Sequence, residues 1–155
     1  MEQLKLIALD DDDLKVVSAH LQDAVIRTED IVFLPKERRF AILMHRFDWL
    51  SAAEAKGPNG GYERSQCVLR FEKVKHVQYK HLALGEHSEV VELLVVSFEP
   101  GEPPNGAIIL TFAGGAAIKL HVDCIEAELR DLGPVWKTPY KPRHPDDLDE
   151  SKSAS

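Results

Sequence analysis

The residue types that could do chemistry fall in a few short stretches. Arg46-Phe47-Asp48-Trp49 sets a cation, an acid and two aromatics at the end of an apolar run. Trp136, Tyr140 and His144 lie on a segment spaced by Pro139 and Pro142 and carrying three bases. Aromatic side chains and arginine are what protein interfaces favour. Each cluster also has a plain structural reading, Trp49 tucked into the core and the proline strip laid over its own domain. A second grouping, His20, Arg27, Arg46 and Asp48, could line a polar small-molecule pocket if an N-terminal helix meets the second strand. A third, Arg38, Arg39, Arg64 and Arg70, could hold an anion if all four share one surface.

Other candidates fit structural roles better. His121-Val122-Asp123-Cys124 puts nitrogen, carboxylate and thiol close together, but strand alternation sends His121 and Asp123 to one face and Cys124 to the other. Zinc needs three or four converging ligands, and no Cys-x-x-Cys or His-x-x-x-His spacing supplies them, so neither metal nor cofactor is expected. Cys67 and Cys124 fall on apolar faces, where a free cysteine behaves as a small hydrophobe. Asp10 to Asp13 lack the alternating ligands, glycine and terminal glutamate of a calcium loop. No nucleophile elbow, phosphate loop or His-Glu-x-x-His helix occurs.

These residues must be positioned by one domain of 155 residues. Two cysteines are too few for a disulfide framework and suit a reducing compartment. The start of the chain lacks a basic region followed by an apolar stretch, and no apolar run approaches the roughly 18 residues of a membrane span. The expectation is a soluble cytoplasmic protein. The net charge is −7, 19 bases against 26 acids. Lys36 to Lys80 hold ten bases and five acids, whereas His81 to Asp131 hold two and nine. Oppositely charged strands lying side by side would account for that split. The overall sign argues against nucleic acid, whose binding rests on phosphate neutralisation.

The pattern predicts an N-terminal helix capped by Asp10 or Asp11, with Leu14, Val17, Leu21 and Ala24 as its apolar stripe. Strands follow over 31–34, 40–47, 67–72 and 90–98, with a loop over 51–63 and a bulge or bend near Val74. Ile108, Leu110 and Phe112 alternate up to Gly114-Gly115, and Ala116, Ile118, Leu120 and Val122 alternate away, which predicts a hairpin with positive φ at both glycines. The parity shift after Val122 predicts either a bulge near Asp123-Cys124 that resets the strand or the start of a short helix, and the alternating polar face of Glu126, Glu128 and Arg130 favours a strand over Ile125, Ala127 and Leu129. The sum is an α+β domain, residues 1–145, with one helix packed on seven or eight mostly antiparallel strands curled into a roll or partly open barrel. Residues 134–145 read as an extended proline strip and 146–155 as a disordered acidic tail.

Six stretches stand out: Ser18-Ala19-His20-Leu21-Gln22-Asp23-Ala24, Leu34-Pro35-Lys36, Arg46-Phe47-Asp48-Trp49, Phe112-Ala113-Gly114-Gly115-Ala116, Cys124-Ile125-Glu126-Ala127 and Asp131-Leu132-Gly133-Pro134. Together they resemble a bacterial family, domain of unknown function 2948. The likeness runs from about Leu4 to His144. His45 departs from it, an asparagine being expected there. The resemblance implies a cytoplasmic bacterial protein and a stand-alone domain, and brings no activity or catalytic residue. The expectation is therefore a non-catalytic module that binds a protein or a second copy of itself through the Arg46–Trp49 corner or the Trp136–His144 strip. The competing expectation is a small-molecule-binding domain or an enzyme with a polar pocket near Arg46 and Asp48.

Overall fold

The computed structural model describes residues 3–47, 64–82, 84 and 89–134. The single α-helix among them, α1 (Asp11–Leu21), follows a short strand, β1 (Lys5–Ala8). Asp10 caps α1, its Oδ1 accepting the Asp13 N–H at 2.8 Å, and three aspartates occupy the first turn where the helix dipole favours negative charge. Leu14, Val17, Ser18 and Leu21 are its buried face. Gln22 closes the helix and Asp23 turns the chain with φ 67°. Ala24, expected on the helical stripe, is buried beyond the helix end, at the entry to the next strand.

The strands that follow are β2 (Val25–Arg27), β3 (Ile31–Leu34), β4 (Arg39–Phe47), β5 (Arg64–Phe71), β6 (Val74–Lys80), β7 (Val90–Pro100), β8 (Gly106–Phe112), β9 (Ala117–Val122) and β10 (Ala127–Pro134). All pairings among them are antiparallel, in the order β1-β10-β5-β4-β2-β7-β8-β9-β6, with β3 on β4. The architecture is the expected α+β one, a helix on a mostly antiparallel, partly open roll. Among the described residues the strand count is ten rather than seven or eight. The additional strands include β1 and β2, four and three residues long, too short for alternation to declare them.

A shared corner makes the sheet curl. β5 runs into β6, and β9 into β10, at the same place. There Glu72 donates its N–H to Glu126 O at 2.9 Å and Asp123 donates to Lys73 O at 3.0 Å. Lys73 takes φ 62°, and a register shift follows between Val74 and His76, which is the bend expected from the phase slip. Gly114 and Gly115 take φ 87° and 93° in the β8–β9 connection, as its two glycines predict. β7 is central: Val90–Glu92 pair with β2, and Leu93–Pro100 pair with β8. α1 lies against β7, where Ser18 Oγ accepts the buried Val96 N–H at 2.9 Å.

One apolar cluster runs through the elements, from Ala8 and Leu14 to Ala127 and Leu129, with Phe40, Phe71 and Phe112 fully buried. The expected loop over 51–63, most of the strip over 134–145 and the tail over 146–155 lie outside the described residues. No helix among the described residues is long and apolar enough to cross a membrane.

Candidate functional site

The inward row of β4 reads Phe40, Ile42, Met44, Arg46, and that of β10 reads Ala127, Leu129, Asp131. Each apolar row therefore ends in a charge. The two charges meet: Arg46 Nε donates to Asp131 Oδ1 and Nη2 to Oδ2, both at 2.9 Å. Asp131 Oδ2 also accepts the Leu4 N–H at 2.9 Å, and the Asp131 N–H returns a bond to Leu4 O. A bidentate, buried arginine–carboxylate pair of this kind fixes direction as well as energy. Here it joins β4, β10 and the approach to β1. Cys67, fully buried on β5 between Met44 and Asp131 in the ladders, adjoins the pair. Burial pushes its thiol up to about 12, and the Asp131 charge adds to the rise. It holds its proton at neutral pH.

Of the docking cluster expected around Arg46, the structure describes Arg46 and Phe47. Arg46 turns its guanidinium inward, so its charge is not offered at the surface. Phe47 is half-buried at the end of β4. Asp48, Trp49, Trp136, Tyr140 and His144 lie outside the described residues. In the small-molecule grouping, His20 sits partly exposed in the last turn of α1, and Arg27 is an exposed residue of β2 whose guanidinium lies 3.8 Å from Glu29. Neither they nor Arg46 line the cleft beside Phe47. That cleft, about 270 Å³, is lined by Asp23, Val25, Phe47, Arg64 and Glu92. The Glu92 carboxyl is held above its usual range, first by a hydrogen bond with Asp23, then by burial and the Asp23 charge, against the pull of Arg64.

The four arginines of the third grouping do not converge on one site. Arg38 pairs with Asp123 at 2.8 Å, while Arg39 and Arg70 converge on Glu72 and Arg70 also reaches Glu128 at 3.1 Å. Arg64 sits opposite Phe47 while Arg70 sits opposite Ala41, six residues further along β5, roughly 20 Å at the rise of a strand. Basic and acidic segments do lie side by side, as the charge split suggests: Arg70 of β5 meets Glu128 of β10 at 3.1 Å, and Lys75 of β6 meets Asp123, just past β9, at 3.5 Å.

The outer face of β6 and β9 gathers basic side chains. His76 lies opposite His121 with ring centroids 5.4 Å apart, and Gln78 lies opposite Lys119. His121 shares a 2.8 Å hydrogen bond with the Gln78 side-chain oxygen. Burial lowers the His121 pKa, and the positive charges of Lys119, His76 and Lys75 lower it further, with Glu99 opposing. A shallow cleft of about 240 Å³ beside it is lined by residues that include Lys75, Lys119 and His121. Among the described residues no group of three or more histidines, cysteines or acids could hold a metal ion.

The sequence reading missed Asp131 as the partner of Arg46. The signal was present: each charge falls in phase with the apolar residues of its own strand, where only a buried and paired charge is tolerated. A search of curated proteins gave no match. The chain belongs to the family described as "Protein of unknown function (DUF2948)", whose model matches residues 4–144.

Proposed function

We propose that this chain is a non-catalytic protein-binding module of the cytoplasm that pairs a partner strand onto the open edge of β6. One observation carries the reading. β6 is seven residues long and, among the described residues, pairs only with β9. Its other side presents backbone N–H and C=O groups that an added strand would satisfy, the mode by which many modules capture extended segments. Two features support it. The Arg46 and Asp131 charges, which an active site would need to offer, are turned on each other, and the Cys67 thiol is held protonated in the core. The test is a photo-crosslinking side chain placed at Lys80 on β6 and, as a control, at Lys15 on α1, in the cells that make the protein. Adducts that form at position 80 and map to one extended segment of a partner are expected. Equal adducts at both positions would remove the basis for the edge.

A second reading is favoured by the cleft beside Phe47. A carboxyl pair, Asp23 and Glu92, shares hydrogen bonding across from Arg64 and beside an aromatic ring and Val25. Such a lining suits a small zwitterion, its ammonium on the acids and its carboxylate on the guanidinium. Native mass spectrometry of protein purified without added ligand tests this: a mass excess lost on denaturation supports the cleft, and a bare chain mass counts against it.

A further inference from the structure

The β6 edge has a chemical signature of its own. From Lys73 to His81 there are three lysines, two histidines and no acid, in a chain whose net charge is −7. The ladder register sends His76, Gln78 and Lys80 to the outer face with His121 and Lys119. The register shift between Val74 and His76 places Lys75 beside them, exposed, with its ammonium 3.5 Å from Asp123. Lys73 and Lys80 have no acidic partner within ion-pair distance among the described residues. The intervening positions differ. Val77 packs against the core cluster, and Tyr79 is a partly exposed ring.

That alternation specifies an occupant. Lysine on an edge strand discourages pairing with a second copy, because β6 against β6 would set like charges opposite one another. A strand carrying acids reverses the sign of the same contacts, so the edge repels its own kind and admits the complement. An added strand repeats its side chains on one face every second residue. Residues opposite His76 and Lys80 share the cationic outer face. Those opposite Val77 and Tyr79 share the apolar side.

We propose that β6 takes an extended partner segment of the pattern acid–apolar–polar–apolar–acid, one carboxylate against Lys80 and the other against Lys75 and His76. This deepens the edge-capture reading and rests on it.

The experiment is selection of random nine-residue peptides on the immobilised full chain, followed by backbone amide exchange of the protein with each enriched peptide. Peptides with two acids four positions apart and apolar residues just inside them are expected, and they should slow exchange along β6. Lys80→Glu should weaken such a peptide by about tenfold, the scale of exchanging an opposite-charge pair for a like-charge one. The amide spectrum of that variant checks that the fold is intact. N-methylation of the peptide backbone should abolish binding with the charges kept. Enriched peptides that slow β6 but carry no acids would overturn the acidic pattern and leave edge capture standing. Peptides that bind without slowing β6, or no enrichment at all, would overturn edge capture and the pattern with it.

Discussion

Arg46 and Asp131, 85 positions apart in the chain, hold each other through two 2.9 Å hydrogen bonds with side chains only 7% and 3% exposed. The same carboxylate takes the Leu4 N–H. One acid on β10 thereby fixes the end of β4 and the segment that leads into β1. Solvent screening is slight at that depth. Desolvation is offset by geometry and by the additional backbone donor.

Removing either partner should therefore be costly. Arg46→Ala or Asp131→Ala is expected to lower stability by about 3–5 kcal/mol, since each leaves an uncompensated buried charge. The joint replacement Arg46→Met with Asp131→Leu should recover part of that loss. It should fall short by about 1–3 kcal/mol, because the Leu4 N–H loses its acceptor. Urea titrations of the three variants check this, and single variants within about 1 kcal/mol of wild type would show that the pair is not a support.

Cys67 gives a pH dependence. Its folded-state pKa, about 12, lies above the unfolded value near 9.0. The unfolded chain therefore loses its thiol proton first as pH rises, so the stabilisation is complete below about 9 and is lost progressively toward 12. Urea midpoints at pH 8 and pH 10.5 should fall more in wild type than in Cys67→Ala. A thiol reagent at pH 8 should label Cys124, which is partly exposed, while Cys67 reacts only on unfolding.

Gly106 opens β8 where the Phe98 ring crosses it. A Cβ there would clash with the Phe98 ring and would lie 2.8 Å from the Glu99 carbonyl oxygen. Gly106→Ala should cost about 1–3 kcal/mol by overpacking. A Phe98→Leu background should relieve only part of that increment, because the carbonyl contact remains. Equal costs in both backgrounds, read by thermal unfolding, would assign the strain to the backbone alone.

Two hydrogen bonds of α1 should separate by burial. Asp10→Ala removes an exposed cap and should cost about 1 kcal/mol. Ser18→Ala removes the acceptor of the buried Val96 N–H and should cost about 1–3 kcal/mol. Denaturant midpoints measured side by side check the order. A larger loss at Asp10 would mean that the helix is held by its cap rather than by its seat on β7.

Much of the roll was legible in the residues because its signals are local. The Asp10 cap, the Leu14–Leu21 stripe, the alternation of β8 and β9 around Gly114-Gly115, and the bend after Phe71 each express themselves within a few positions. β2 was not legible, because three residues cannot show a period; they become a strand only by lying between β4 and β7. The place of the chemistry was less legible still. Arg46 stands beside Phe47 and reads as part of an exposed corner. Parity alone, set against Phe40, Ile42 and Met44, shows that it points inward.

The antiparallel α+β class, the capped helix, the glycine hairpin and the family can be read from the residues alone, since propensity, alternation and short motifs act between near neighbours. The pairing of Arg46 with Asp131, the cleft that Asp23 and Glu92 share with Arg64, and the place of β6 at an edge of the described sheet with its lysines outward appear only once the chain is folded. Those relations depend on strand order and on which backbone groups find partners. Both are set by the packing of residues far apart in the chain.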